Sequence, residues 1–231
     1  MKIYYQDAAV TLYHGDCREI LARLESDAVD AVVADPPYNV GKDYGVHDDN
    51  MAPGEYRSWL TAVLALCARV SRDGVVFFPG TRNVLEVPIV LASTPLRFVR
   101  MLGWHKKEYA GDKWTGDPAM CWEPIIWASV LPAHAYYNRI YGMAGRDFLV
   151  VPSTHGDPFA AVHPCPKPGS VMSWLIGLFV PEGGTVLDPT AGTGTTLWAA
   201  KESRRRAIGI EIEERYCEIA AKRCAQEVLS L

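Results

Sequence analysis

Apolar and polar positions alternate so as to divide the chain into short apolar runs and longer stretches with helical spacing. Residues 29–34 read Val-Asp-Ala-Val-Val-Ala, a run of β-branched and small side chains expected to form a strand buried on both faces. Residues 9–13, 75–78, 98–102, 184–188 and 206–211 have similar strand character. Between the first two runs Ile20, Leu21 and Leu24 fall at helical spacing, and Trp59, Val63, Leu66 and Val70 do so behind Pro53, which predicts a short helix and then one over 53–70. Further helices are expected over 84–91, interrupted at Pro88, over 169–180, from 195 and over 213–229. Strands alternating with helices indicate βαβ units, an α/β class and a largely parallel sheet.

Asp35-Pro36-Pro37-Tyr38 follows the first of these runs, so it stands where a central strand ends, the side on which open α/β sheets bind ligands. Two successive prolines have no N–H with which to continue a ladder, and their carbonyls are expected to be free. Asp35 adds an acceptor beside the Pro36 carbonyl and Tyr38 a flat face for stacking. That set suits an amino group on an aromatic ring. Taken alone, the tetrapeptide also reads as a turn capped by Asp35. The strand over 9–13 likewise runs into Gly15-Asp16, where Asp16 serves as a ligand-side carboxylate, a helix cap, or both.

A second motif lies toward the other end. The strand over 184–188 closes on Asp188, the turn Pro189-Thr190-Ala191-Gly192-Thr193-Gly194 follows, and a helix begins at Thr195. Such a turn lets backbone approach a nucleoside closely, and Glu211, ending the next strand, stands about where a carboxylate meets ribose hydroxyls. No lysine follows Gly194, which excludes a P-loop. The third glycine of a dinucleotide fingerprint is replaced by Leu197, so a nicotinamide site is weakly supported. Ahead of this unit, prolines in His163-Pro164-Cys165-Pro166-Lys167-Pro168 hold His163 and Lys167 before a helix start, where a lysine and a helix N-terminus suit a carboxylate.

Elsewhere the pattern is looser. Residues 39–50 carry glycines around Lys42 and Tyr44, as in a loop that closes over a site or an ordinary exposed loop; the Asp48-Asp49 pair reads as solvated and no metal site is expected. From 103 to 162 Trp104, Trp114, Trp122, Trp127, Tyr109, Tyr136, Tyr137 and Tyr141 interleave with Lys106, Lys107, Lys113, Arg139 and Arg146. These residues either stack on bases and contact phosphates or pack the far edge of the sheet.

Composition narrows the class. With 231 residues, 49% hydrophobic and 22% charged, the chain reads as one globular domain. A net charge of −4 gives no general attraction to nucleic acid, so any such binding uses local patches. The six cysteines form no C-x-x-C pair and read as buried apolar residues in a reducing compartment. Neither an export signal nor a membrane-spanning run is seen, which makes the expected location cytoplasmic.

Taken together, the Gly15-Asp16 segment, Asp35-Pro36-Pro37-Tyr38, His163 to Pro168, Asp188 to Thr196 and Glu211 resemble, in order, the motifs of S-adenosylmethionine-dependent DNA amino-methyltransferases, of the permuted class in which D-P-P-Y precedes the cofactor loop. The resemblance implies a doubly wound, mostly parallel Rossmann-like sheet with helices on both faces. It implies Asp35, Pro36, Pro37 and Tyr38 as catalytic residues, and a cofactor site made from Asp16, His163, Lys167, Asp188, Pro189, Ala191, Gly192, Gly194, Thr195 and Glu211. In this scheme Asp16 reaches the adenine end, Glu211 the ribose, and Asp188 with Lys167 the methionine part. DNA is the implied partner, and adenine N6 the implied target, because cytosine enzymes of the family more often begin the motif with Ser. A homodimer and a cognate restriction nuclease are partners the family admits. The whole chain is taken as one methyltransferase domain, with 103–162 as a short target-recognition insertion. A nicotinamide-dependent oxidoreductase and an inactive DNA-binding subunit are the competing readings. Since the chain ends with one helix after the Glu211 strand, the opening strand is expected to lie beside that strand.

Overall fold

In the computed structural model, described over residues 1–106, 120–131, 146–152 and 165–226, the apolar runs assemble into one sheet. Its strands are Lys2–Gln6 (β1), Val10–His14 (β2), Val29–Ala34 (β3), Ser71–Phe77 (β4), Arg97–Lys106 (β5), Trp122–Ser129 (β6), Phe148–Val151 (β7), Thr185–Asp188 (β8) and Arg206–Glu211 (β9). They lie side by side in the order β1-β2-β9-β8-β3-β4-β6-β5-β7. From β2 across to β4 every pairing is parallel. β6 then pairs antiparallel with both β4 and β5, and β1 antiparallel with β2.

Helices Cys17–Leu21 (α1), Pro53–Val70 (α2) and Val87–Ala92 (α3) cover one face, while Gly169–Phe179 (α4), Thr195–Glu202 (α5) and Glu214–Ala225 (α6) cover the other. The strand sequences show why both faces are closed. Ala31 and Val33 pack with Leu175 and Leu197 on one side, and Val32 and Ala34 pack with Leu60 and Leu64 on the other. From Ala31 to Ala34 the strand is apolar on both faces, the pattern of a strand covered by helices on both sides. Among the described residues no helix is long and apolar enough to cross a membrane.

The expected α/β doubly wound class is therefore observed, and β2 lies parallel to β9 with His14 opposite Glu211, as the chain order required. Several details differ from the sequence expectation. Pro88 does not interrupt a helix. It stands in the first turn of α3, after a 3-10 turn at Val84–Glu86, where its missing N–H has no helical partner to lose. The segment around Trp127 packs inside the sheet between β4 and β5 rather than at its far edge. That edge is β7, which, like the opposite edge β1, has no fully buried position. α6 ends at Ala225, and the last expected helical residues lie outside the described ones.

At the centre of the sheet, β3 sends its crossover toward β4 and β8 sends its own toward β9. Such a reversal opens a crevice between adjacent strands at their carboxyl ends. Asp35 and Asp188 stand on its two sides.

Candidate active site

A cavity of about 770 Å³ occupies this crevice, within the range of small-molecule sites. Asp16, Asp35, Lys167, Asp188, Gly192 and Glu211 all line it, as do Pro37, Pro189, Ala191 and Thr195. Residues that are up to 195 positions apart in sequence meet because four neighbouring parallel strands end on the same side.

On the β8–β9 side the turn after Asp188 is tied down by backbone. Ala191 N donates to Ile210 O at 2.9 Å, and Gly192 N donates to Glu211 Oε2 at 2.8 Å. Glu211 Oε1 accepts from Glu213 N at 2.8 Å, so this carboxylate is oriented by both flanking loops. Asp188 Oδ1 accepts from Thr190 N at 3.0 Å. Burial pushes the Asp188 carboxyl up to about 7, although Thr196 and Thr190 bond it, and burial raises Glu211 as well. Gly194, at φ 77°, opens α5, and a Cβ there would lie 2.8 Å from the Ala220 Cβ. Its place is therefore in the packing of α5 on α6, behind the cavity wall. Thr195 Oγ1 accepts from the buried Arg223 Nη1 at 2.9 Å.

At the β2 end Asp16 caps α1, accepting from Arg18 N at 2.8 Å and from Arg18 Nη2 at 2.6 Å. Arg18 holds the Asp16 carboxyl below its ordinary range. The cap and the place on the cavity wall are compatible, since the cap leaves acceptor positions on both oxygens.

Around Asp35 the contacts are denser. Lys167 Nζ lies 2.7 Å from Asp35 Oδ2, and the Tyr38 hydroxyl donates to Oδ1 at 2.7 Å. Thus the carboxylate that Lys167 meets in this structure is Asp35. Burial raises the Asp35 carboxyl, and Lys167 pulls it back only in part. Pro37 O accepts from the Tyr56 hydroxyl at 2.8 Å, so it is not free as the sequence suggested. The Pro36 carbonyl carries no hydrogen bond among the described residues. Pro36 and Tyr38 stand behind the cavity wall. Tyr38 is fixed by Asn83 Nδ2, which donates to its carbonyl at 2.7 Å, and by Gly80, at φ 70°, whose Cβ position lies 2.9 Å from the Tyr38 ring.

The loop over 39–51 arches across the opening, with Tyr44, His47 and Met51 on the cavity wall. Asp49, 3% exposed, organises it, accepting from the backbone N–H groups of Asn39, Val40 and Lys42 at 2.7, 3.1 and 2.9 Å. Val46 N reaches Glu213 Oε2 at 3.2 Å, which fastens the loop to the far side of the crevice.

His163 lies outside the described residues, as do Trp114, Tyr109, Tyr136, Tyr137, Tyr141, Lys107, Lys113 and Arg139. Sequence reasoning missed Tyr56 and Asn83 as braces of the Asp35 segment, and it missed Glu123 beside them. The one signal for Glu123 was an acid beginning an otherwise apolar run.

A model of the N6 and N4 methyltransferase family, described as DNA methylase, matches residues 29–222. Among curated relatives, the Type II methyltransferase M.ScaI of Streptomyces caespitosus is 27% identical over 266 residues, spanning 100% of this chain and 86% of its own. The Type II methyltransferase M2.DpnII of Streptococcus pneumoniae is 28% identical over 250 residues, spanning 98% and 93%. The solved structure of the M1.HpyAVI complex with S-adenosylmethionine superimposes with a TM-score of 0.74 at 24% identity, covering 94% of this chain and 100% of the other. The cytosine-N4-specific PvuII DNA methyltransferase does so with 0.81 at 17% identity, covering 99% and 91%. At these identities the structural likeness is one of fold.

Proposed function

The chain belongs to this family of DNA methylases, and from that premise we propose that it transfers a methyl group from S-adenosylmethionine to the exocyclic N6 amine of adenine in DNA. The observation that carries the reading is the pair of acceptors at the end of β3, the Asp35 carboxylate and the unbonded Pro36 carbonyl, beside the cavity walled by Asp188, Gly192 and Glu211.

The cavity residues fit the methyl donor. Thr190 Oγ1 is buried without a hydrogen-bond partner, an orphaned polar atom of the kind a ligand satisfies. Glu211 would hold ribose hydroxyls, Asp16 the adenine end and Asp188 the methionine part. When bound, S-adenosylmethionine supplies an electrophilic sulfonium methyl.

The protein's own part is positioning and charge. An aromatic amine is a poor nucleophile because its lone pair is delocalised into the ring. Accepting its two N–H groups at Asp35 and Pro36 O favours a pyramidal nitrogen with the lone pair directed at the cavity, and the Asp35 charge stabilises the positive charge that develops on nitrogen. An amine inside a duplex cannot reach this position, so the base is flipped out. Tyr38 orients Asp35 through its hydroxyl, and its ring is the candidate stacking surface. The chain acts as one methyltransferase domain, with the stretch 103–162 reading DNA sequence. The Type II names of the relatives favour a role beside a cognate nuclease.

Cytosine N4 is the second reading, since the matching family covers N6 and N4 enzymes; Asp rather than Ser at position 35 favours adenine. Incubating the protein with methyl-tritiated S-adenosylmethionine and unmodified duplex DNA tests the reaction. Label in DNA is expected, and a protein that binds the donor without labelling DNA overturns the proposal.

A further inference from the structure

The cluster around Asp35 holds one acid more than capture of an amine requires. Glu123, in β6, has a side chain 13% exposed and precedes Ile125 and Ile126, both fully buried. A carboxylate in such surroundings is costly unless matched by cations. It is matched twice, with Lys106 Nζ 2.7 Å from Oε1 and Lys167 Nζ 3.6 Å from Oε2. The charges of Asp35, Lys167, Glu123 and Lys106 thus alternate in a row. Burial raises the Glu123 carboxyl, but Lys167 and Lys106 outweigh it and hold it below its ordinary range. Burial disfavours the Lys167 ammonium, yet Asp35 and Glu123 hold it above its ordinary value. Lys167 is therefore a charged group between two acids, one at hydrogen-bond length and the other within short reach.

That placement conflicts with the chemistry proposed above, on which this inference rests. As the amine nitrogen bonds to the methyl carbon and the C–S electron pair withdraws onto sulfur, the nitrogen becomes cationic, and its surplus proton then passes to Asp35. An ammonium 2.7 Å from Asp35 Oδ2 neutralises the carboxylate that should stabilise this charge and opposes the new cation directly. We propose that Lys167 is handed from Asp35 to Glu123 when the target amine engages Asp35, with Glu123 as the positioning residue that receives the ammonium. Closing the 3.6 Å separation from Glu123 to hydrogen-bond length leaves Lys167 paired throughout and frees Asp35 for the amine. Tyr38, its hydroxyl 2.7 Å from Asp35 Oδ1 and 3.5 Å from Glu123 Oε2, keeps the two carboxylates in place during the exchange. Lys106 anchors the receiving acid from its other oxygen.

The test is a set of variants of the full chain assayed for transfer to unmodified DNA, with donor binding and melting temperature recorded alongside. Glu123→Gln is expected to lower kcat about tenfold or more, a coupling in the range seen for groups of one network, with the donor Kd and the KM for DNA within about threefold. Glu123→Asp recovers part of the loss. In a Lys167→Met background, where no ammonium has to move, Glu123→Gln changes the rate by less than about twofold, whereas a purely structural role gives the same loss in both backgrounds. If Lys167→Met does not fold, the kcat-against-KM split and the Asp rescue decide. A wild-type rate for Glu123→Gln, a loss carried by KM or melting temperature without rescue, or an equal loss in both backgrounds overturns the handover. An inactive wild-type protein overturns the methyltransferase reading itself.

Discussion

At the scale of single residues, the half-buried Asp35 and the buried Asp188 are acids with different consequences. Asp35 is oriented by the Tyr38 hydroxyl and is the acceptor for the target amine, so Asp35→Ala is expected to reduce methyl transfer by about 10²–10³-fold or more, with donor affinity changed only a few-fold. Single-turnover assays and equilibrium binding check both halves of that statement. Asp188 makes its contribution through pH. Its carboxyl is raised from an ordinary 3.8 to about 7, so between those values the folded chain holds a proton that the unfolded chain has lost. Stability from this group is complete below about pH 4 and is lost as the pH rises toward and through 7. Asp188→Asn should therefore raise the melting temperature of the ligand-free protein more at pH 8 than at pH 5, with a difference of roughly 2–4 °C for each kcal/mol involved. Equal shifts at the two pH values would refute this account of Asp188. The positions of Asp35 and Asp188 were legible in the sequence because each directly follows or ends an apolar run. The partner of Asp35 was not, since Lys167 is 132 residues away and a contact between distant loops leaves no periodic trace.

At the scale of elements, the strongest sequence signals coincide with the observed boundaries. β3 and α2 have the expected limits because one is apolar at every position but Asp30 and the other opens on a proline and buries Tyr56, Leu60, Val63, Leu64 and Cys67 along one face. β1 escaped notice because Lys2–Gln6 has no apolar run, and β7 because its short run Phe148–Val151 stands within a stretch without periodicity. The junction of α5 with α6 depends on Gly194, whose left-handed backbone and closeness to Ala220 both exclude a side chain. Gly194→Ala is expected to cost about 1–3 kcal/mol and to weaken donor binding, as the turn before α5 shifts. Chemical denaturation and binding measurements on the same variant check this. A variant as stable as wild type would show that α6 moves aside without cost.

For the whole molecule, function follows from bringing two half-sites to one crevice. Of the strand order one adjacency was legible, the place beside β9 assigned to the opening strand. β2 fills it and carries Asp16 to the cavity. The region that would read DNA was least legible. Aromatic and basic residues over 103–162 have no periodicity, and in the described part they divide between buried packing, as for Trp104 and Trp127, and exposure, as for Trp122. A stretch this short is expected to recognise a short or relaxed site. A genome-wide map of modified positions that returned a long, strict consensus would contradict that expectation.

The measurement that bears most directly on the central claim is nucleoside mass spectrometry of unmodified genomic DNA after incubation with the purified protein and S-adenosylmethionine. The account predicts 6-methyladenine, absent when Asp35→Ala replaces the wild type. Accumulation of 4-methylcytosine instead would contradict the adenine assignment while keeping the amine chemistry at Asp35. DNA without either base, from a protein that binds the donor, would contradict the account as a whole.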